Sequence, residues 1–146
     1  MIFVFDIDGV LADNRHRLHH IRNGNRDYDA FYATVMLDTP ILPIVKIARA
    51  LMYSPGVTVE LWTGRRESSR QQTEMWLDQI SLSHYNKLRM RADGDYRKAA
   101  EVKKEWVDLC FPCERPVLVF EDHPDNVAMY RAAGLICCQT FDGELA

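Results

Sequence analysis

Apolar runs that alternate with longer amphipathic stretches constrain the fold of this chain more than any other feature. Five runs have the length and composition of β-strands, at residues 2–5, 57–62, 87–91, 117–120 and 135–141. Four stretches between them carry the apolar spacing of helices, at residues 41–53, 68–80, 99–109 and 126–133. Strands that alternate with helices predict an α/β fold: a three-layer, doubly wound, Rossmann-like sheet of five parallel strands.

Acidic and hydroxyl side chains follow three of the predicted strands. In chain order they are Asp6 and Asp8, then Thr63 with Gly64 and Arg65, then Glu121 with Asp122. Ligands of a doubly wound sheet bind at the carboxyl ends of its strands, where these residues should meet. Four carboxylates at one edge would repel each other strongly without a cation. An all-oxygen cluster without His or Cys suits Mg²⁺, so the sequence predicts a magnesium site there.

Composition narrows the class of protein. The 146 residues are enough for one domain with a real core. The net charge of −3 argues against a general nucleic-acid coat, so an anionic partner must be held by a local basic patch. The first residues do not have the pattern of a secretory signal, and no apolar run reaches the length of a membrane span. We therefore expect a cytoplasmic protein with no membrane partner and with free cysteine thiols.

Four motifs carry a resemblance to a known family. DIDGV (6–10), LWTGR (61–65), an upstream lysine and VFEDHPDN (119–126) resemble the motifs of the haloacid dehalogenase (HAD) superfamily over nearly the whole chain. A closer similarity is to the phosphatase domains of bacteriophage polynucleotide kinase-phosphatases. It rests on Arg17, on TGR-x-ES (63–68), on GDYRKAAEVKKEW (94–106) and on the tail GLICCQTFDGEL (134–145).

The resemblance implies a mechanism in which Asp6 is the nucleophile and forms an aspartyl-phosphate. Asp8 would protonate the leaving oxygen and later take a proton from water. Mg²⁺ would be held by Asp6, the backbone carbonyl of Asp8 and Asp122, with Glu121 reaching the ion directly or through water.

The remaining site residues follow from the same resemblance. Thr63 and Gly64 would donate hydrogen bonds to the phosphoryl oxygens, and Arg65 and Arg17 would bind substrate. The motif lysine aligns best with Lys103. Lys98 and Lys104 stay open as alternatives.

Residues 14–40 interrupt the alternation of strands and helices, and we predict that they form a small cap insertion in a single phosphatase domain, 1–146. This insertion is too short for a full helical lid, so the mouth of the site should be open and should suit a large substrate. Its first half is basic, with Arg15, Arg17, Arg22 and Arg26. Together with Arg65 and Arg66 these side chains would form an exposed rim that binds flanking phosphates. A solvated basic helix is the alternative.

The resemblance implies a Mg²⁺-dependent phosphomonoesterase that removes 3′-phosphates from polynucleotide ends or nucleotides during nucleic-acid repair. The phosphate-binding pattern G-x-x-x-x-G-K-[ST] is absent from the sequence, so a polynucleotide kinase or ligase would be a separate partner. If the chain is phage-encoded, it would act in the host cytoplasm. Three alternatives stay open: a 5′-nucleotidase or small-metabolite phosphatase, a phosphomutase (prompted by Val10), and a non-catalytic binding module.

Overall fold

The computed structural model describes residues 1–141; residues 142–146, with the end of the tail motif, lie outside the described part. The strands are β1 (Ile2–Phe5), β2 (Ala12–Asp13), β3 (Thr39–Pro40), β4 (Thr58–Arg66), β5 (Lys87–Arg91), β6 (Leu118–Glu121) and β7 (Cys137–Gln139). The α-helices are α1 (Tyr28–Ala33), α2 (Leu42–Met52), α3 (Arg70–Gln79), α4 (Ala99–Asp108) and α5 (Pro124–Ala132). Among these residues, no helix is both long enough and apolar enough to cross a membrane.

Five strands form one sheet in the order β5-β4-β1-β6-β7, and every pairing in it is parallel. The predicted doubly wound parallel sheet is therefore confirmed. After β1 the chain adds β4 and β5 on one side, and it then returns to add β6 and β7 on the other side. The carboxyl ends of β1 and β6 are neighbours at this switch in direction, which is where such sheets bind ligands.

Helices cover both faces of the sheet, as the apolar sequence of β1 predicts. Successive side chains of a strand point to opposite faces, and Val4 and Phe5 both have no exposed surface. Phe5 belongs to a core that includes Leu77 of α3, whereas Val4 belongs to a second core that includes Val107 of α4. The molecule therefore has three layers, with α2 and α3 on one face and α4 and α5 on the other.

Strand β4 continues beyond the predicted end at residue 62. It runs to Arg66, with a shift of register against β5 between Trp62 and Arg66. The sheet therefore holds the predicted phosphate-binding residues Thr63 and Gly64, which were expected to follow the strand rather than to lie in it.

Residues 14–40, which we call the cap segment, begin directly after one short strand, β2, and end with another, β3. The sequence did not predict either strand. β2 and β3 pair antiparallel, with Ala12 opposite Pro40. Inside the segment are a 3₁₀ helix at Arg15–His20, the helix α1 and a 3₁₀ turn at Val35–Leu37. The helix α1 lies in the second half of the segment. It begins where Asp27 accepts a hydrogen bond from the backbone N–H of Ala30 at 2.9 Å.

Candidate active site

Carboxylates from two strands converge at the switch point of the sheet. Asp6 follows β1, and its backbone N–H donates to the carbonyl oxygen of Phe120 in β6 at 3.0 Å. This bond places Asp6 beside Glu121, which ends β6, and Asp122, which follows it. One carboxylate oxygen from each of the three lies within 4.8 Å of the others, and all three residues are buried.

Helix α4 adds one lysine to these acids. The Lys103 Nζ lies 3.0 Å from Asp6 Oδ2 and donates to Glu121 Oε2 at 2.7 Å. Lys103 is buried, whereas the other two candidate lysines, Lys98 and Lys104, are exposed. The contact with Asp6 therefore distinguishes Lys103 from both alternatives. We call Asp6, Glu121, Asp122 and Lys103 the acid cluster.

Two oxygens of the acid cluster have no partner within the described residues. Asp6 Oδ1 and Asp122 Oδ2 are buried and accept no hydrogen bond. Both oxygens of Glu121 are used, because Oε2 binds Lys103 and Oε1 accepts from the backbone N–H groups of Asp122 and His123, each at 3.1 Å. Buried polar oxygens in folded proteins are nearly always satisfied, so the two free ones indicate that ligands bind at this place.

The pKa values of two acids in the cluster indicate that a cation binds among them. Burial raises the pKa of Asp6 well above its ordinary value, although the charge of Lys103 opposes the shift. Burial and the neighbouring Glu121 raise the pKa of Asp122 to about 8. A bound cation stabilises the ionised form of carboxylates whose pKa is raised in this way, and carboxylate oxygens are the ligands that Mg²⁺ prefers. The donor set therefore fits a magnesium ion.

Gly9 leaves the space that Asp122 occupies. A Cβ at this position would lie 2.0 Å from Asp122 Oδ2, and the backbone φ of +79° is unfavourable for other residues. The glycine of the first motif therefore allows the carboxylate after β6 to reach the loop after β1.

Asp8 belongs to a second charged group, which we call the arginine network. Its Oδ1 accepts from the Nη2 atoms of Arg17 and Arg65 at 2.6 and 2.7 Å. Both guanidinium groups also bind Asp38, each through a contact of 2.7 Å. Burial opposes ionisation of Asp8, but the two arginines outweigh it and lower the pKa of Asp8 to about 2. The predicted contact of Asp8 with a metal ion, through its backbone carbonyl, stays a prediction.

The expectation that Arg17 and Arg65 lie on an exposed rim is wrong. Their side chains have no exposed surface because they pair with two carboxylates inside the molecule. The Arg17 guanidinium also packs 4.1 Å from the centre of the Phe31 ring. Adjacent side chains of β4 alternate between faces, so Arg66, unlike its neighbour, stays partly exposed.

Asp38 is the residue of this network that the sequence did not reveal. Its side chain is completely buried, and Trp76 Nε1 donates to its backbone oxygen at 2.8 Å. His16 Nε2 lies 2.8 Å from its Oδ1. Asp38 lies in an irregular stretch of the chain and belongs to no motif. Only its contacts with two distant arginines in the folded chain identify it as part of the network.

A cavity of about 240 Å³ joins the two charged groups. Its walls include Asp6, Asp8, Thr63, Gly64, Lys103 and Asp122, together with Leu18, Ile21 and Phe31 of the cap segment. Thr63 is buried, and its Oγ1 accepts from the backbone N–H of Arg65 at 3.2 Å. All the predicted catalytic residues therefore face one space, with Arg17 and Arg65 directly behind Asp8.

Solved structures with similar folds include two Pnkp1/Rnl/Hen1 complexes. A chain in "Structure of the Pnkp1/Rnl/Hen1 RNA repair complex" is 26% identical with a TM-score of 0.80, over 98% of this chain and 43% of that one. A chain in "Structure of Pnkp1/Rnl/Hen1 complex" is 27% identical with a TM-score of 0.79, over 98% of this chain and 46% of that one. The present chain thus spans less than half the length of either.

A more distant likeness concerns the fold alone. The haloacid dehalogenase-like hydrolase SP0104 from Streptococcus pneumoniae is 11% identical, with a TM-score of 0.68 over 94% of this chain and 83% of that one. No curated protein sequence matches the chain.

The family match is carried by sequence over almost the entire chain. The pattern of the family described as "Polynucleotide kinase PNKP phosphatase domain" matches residues 1–145. The matched range includes every residue of the acid cluster and of the arginine network. The chain therefore belongs to the phosphatase-domain family of polynucleotide kinase PNKP, and it is a phosphatase of the HAD type.

Proposed function

We propose that this chain is a Mg²⁺-dependent phosphomonoesterase that removes 3′-phosphates from polynucleotide ends or nucleotides through an aspartyl-phosphate on Asp6. The proposal rests on the different surroundings of the two carboxylate oxygens of Asp6. Oδ2 is held by Lys103 at 3.0 Å, the buried Oδ1 has no partner among residues 1–141, and Asp6 lines the catalytic cavity. One oxygen is thus fixed and the other is free to react. The family supports the substrate class.

In the first step Asp6 Oδ1 attacks the phosphorus atom. A new oxygen–phosphorus bond forms, the bond from phosphorus to the 3′-oxygen breaks, and that oxygen takes a proton from Asp8. The Thr63 hydroxyl and the Gly64 N–H donate to the phosphoryl oxygens as their charge is redistributed. Lys103 keeps the nucleophile in place, which lowers the entropic part of the barrier.

The arginine network adjusts the proton affinity of Asp8 during this step. With Arg17 and Arg65 bound, the pKa of about 2 keeps Asp8 ionised at neutral pH. An arriving phosphate dianion attracts the same guanidinium groups, weakens their hold on Asp8 and lets its pKa rise. Arg17 and Arg65 thus act on the substrate through their charge from behind Asp8, and proton uptake by Asp8 is linked to substrate binding.

In the second step a water molecule attacks the phosphorus of the aspartyl-phosphate. Asp8 has lost its proton to the leaving oxygen, so it now accepts one from this water. The bond between phosphorus and Asp6 breaks, and inorganic phosphate leaves. Acid–base assistance of this kind is worth on the order of 10²–10⁴ in rate.

Asp122 would hold the magnesium ion through its unpartnered Oδ2. Asp6 would contribute Oδ2, the oxygen that does not attack phosphorus, and the backbone carbonyl of Asp8 would be a further ligand. When bound, the ion offsets the repulsion between the anionic nucleophile and the anionic phosphate. Both oxygens of Glu121 already accept hydrogen bonds, so this residue would reach the ion through water while it holds Lys103.

We further propose that residues 1–146 act as one domain with the cap segment over the site. A separate polynucleotide kinase or ligase would then process the same ends in nucleic-acid repair. The similarity to chains in the RNA repair complex named above supports this context.

The test is phosphate release from a 3′-phosphorylated oligonucleotide, a 3′-mononucleotide and a 5′-mononucleotide, with and without Mg²⁺. We expect Mg²⁺-dependent release from the two 3′-phosphates, with Asp6→Asn as the inactive control. Release from the 5′-mononucleotide alone would identify a 5′-nucleotidase instead. Failure to hydrolyse a generic chromogenic phosphomonoester would identify a non-catalytic binding module.

A further inference from the structure

A second cavity, of about 350 Å³, adjoins the catalytic one. Gly64, Arg91 and Ala99 line both cavities, so they share a wall at the end of β4. The rest of the lining includes Tyr28, Tyr32 and Tyr96 together with Arg66. None of these four has a part in the mechanism described above. We call this cavity the tyrosine pocket.

The three tyrosines surround one guanidinium group. The Cζ atom of Arg66 lies 4.8 Å from the ring centre of Tyr28, 5.8 Å from that of Tyr32 and 5.9 Å from that of Tyr96. Tyr96 nevertheless remains 84% exposed as a residue, so its ring is accessible from solvent. An exposed ring of this size at the mouth of a cavity offers a flat apolar surface to a planar ligand.

The position of Tyr96 relative to the catalytic cavity is fixed by hydrogen bonds of Arg91. The Arg91 Nε donates to the backbone oxygen of Gly64 at 3.1 Å. Its Nη1 donates to the backbone oxygens of Asp95 and Arg97, at 3.1 and 2.5 Å. The turn that carries Tyr96 is therefore attached to the same residue whose N–H is proposed to bind the phosphoryl group.

The charge of the tyrosine pocket suits a nucleic acid. Its lining carries four basic side chains, Arg66, Arg91, Arg97 and Lys98, against the single acid Asp95. Arg97 neutralises that acid in an ion pair of 2.7 Å. A basic groove with exposed aromatic rings is the usual construction of sites for single-stranded nucleic acid, in which the rings stack on bases.

We propose that the tyrosine pocket binds the nucleobase of the nucleotide whose phosphate occupies the catalytic cavity, and that Tyr96 is the stacking surface. Arg66, held among the rings, lies beside the phosphodiester on the 5′ side of that nucleotide. Every base has a stacking face, so the pocket recognises the presence of a base rather than its identity. This inference rests on the proposed 3′-phosphatase function and names the part of the substrate that is recognised.

The test compares a 3′-phosphorylated oligonucleotide with a matched one whose terminal nucleotide lacks its base. Stacking on an aromatic side chain is worth about 1–3 kcal/mol per base, so Tyr96→Ala should lower kcat/KM for the complete substrate about tenfold or more, mainly through KM. The same variant should leave kcat/KM for the abasic substrate unchanged. Tyr96→Trp should restore the preference for a base, because it keeps an aromatic surface.

Tyr53→Ala is the matched control. Tyr53 is also an exposed tyrosine, but it contacts His84 on another part of the surface. It should show wild-type rates on both substrates. Equal losses on the complete and abasic substrates in Tyr96→Ala would overturn the proposal, and so would no loss on either.

A binding measurement separates this proposal from the function on which it depends. Fluorescence anisotropy of a labelled tetranucleotide with a free 3′-hydroxyl requires no phosphate release. We expect Tyr96→Ala to bind it about tenfold more weakly than the wild-type protein does. If no 3′-phosphate is hydrolysed but Tyr96→Ala binds the tetranucleotide more weakly than the wild-type protein, the proposed activity is wrong and the proposed base-binding pocket is supported. If hydrolysis occurs but wild type and variant bind the tetranucleotide equally, the pocket proposal is wrong.

Discussion

The acid cluster and the arginine network both contribute carboxylates to the wall of the catalytic cavity, but their charges are arranged differently. The acid cluster holds three carboxylates against one ammonium group, and two of its buried oxygens are unpartnered within the described residues. The arginine network holds two carboxylates against two guanidinium groups, which contact each other in pairs at 2.6–2.7 Å.

In the proposed mechanism, this difference in charge balance separates the group that reacts, the acid cluster, from the group that supports it, the arginine network. Buried carboxylates without enough positive charge destabilise a fold, so an excess of them is retained where a cation and an anionic substrate bind. Buried charges that neutralise each other fix side-chain orientation without a ligand. The acid cluster therefore has an excess of negative charge that a bound ion would offset, whereas the arginine network gives Asp8 a defined position without a ligand.

The largest expected effect comes from Asp6→Asn, which changes the acid cluster at the nucleophile. Turnover of a 3′-phosphorylated oligonucleotide should fall by about 10⁴-fold or more, as expected when a covalent nucleophile is removed. The melting temperature should not fall, because one of three mutually repelling buried acids becomes neutral. Steady-state kinetics and thermal unfolding check the two parts. Retained turnover in a folded variant would mean that another residue is the nucleophile.

Asp38→Asn tests the arginine network from the side away from the substrate. It leaves two buried guanidinium groups facing one carboxylate, and breaking such a pair lowers the free energy of unfolding by about 3–5 kcal/mol. Urea denaturation measures this loss. The control is Asp108→Asn, which breaks an exposed ion pair with Lys104 and should cost less than about 1 kcal/mol. Similar losses in both variants would show that the network does not stabilise the fold.

The effect of Mg²⁺ on stability should distinguish the acid cluster from the arginine network. At an ion concentration of about 100 Kd, the free energy of unfolding should rise by about 2.7 kcal/mol in the wild-type protein. Asp122→Asn removes one of the two unpartnered oxygens and should abolish most of this gain. Asp38→Asn should keep the gain, because it does not alter the acid cluster. Equal stabilisation of all three proteins by Mg²⁺ would place the ion elsewhere.

The fold and the acid cluster could be predicted because their signals are local in sequence. Apolar runs predicted all five strands of the main sheet, and the residues at their ends predicted the meeting of Asp6 with Asp122. The errors have physical reasons. β7 pairs with only one neighbour and is shorter than its apolar run. β2 and β3 have two residues each, too few for a pattern.

The arginine network could not be predicted because its contacts depend on tertiary structure. Arg17 and Arg65 pair with Asp38 across 21 and 27 residues of sequence. In the sequence both arginines have the surroundings of surface residues, and only the folded chain brings two buried carboxylates to them. Charge sign and spacing alone therefore indicated an exposed rim where the structure has an interior network.

The smallest predicted effect concerns the pH dependence of stability that the network produces. In the folded protein the pKa of Asp8 is lowered from 3.8 to about 2. A lowered pKa stabilises the fold above the unfolded value and loses this contribution as the pH falls through the folded value. Ionised Asp8 should therefore contribute about 2 kcal/mol above pH 4, and most of it should be lost between pH 4 and pH 2.

Urea denaturation of the wild-type protein and Asp8→Asn over this pH range isolates the contribution of Asp8, because other groups titrate in both proteins. The asparagine imitates the protonated acid, so the difference in unfolding free energy should shrink by about 2 kcal/mol as the pH falls. The acid cluster, common to both proteins, cancels in the comparison. A difference that stays constant would mean that the two arginines do not hold Asp8 ionised. The arginine network would then not differ from the acid cluster in having its charges neutralised by one another.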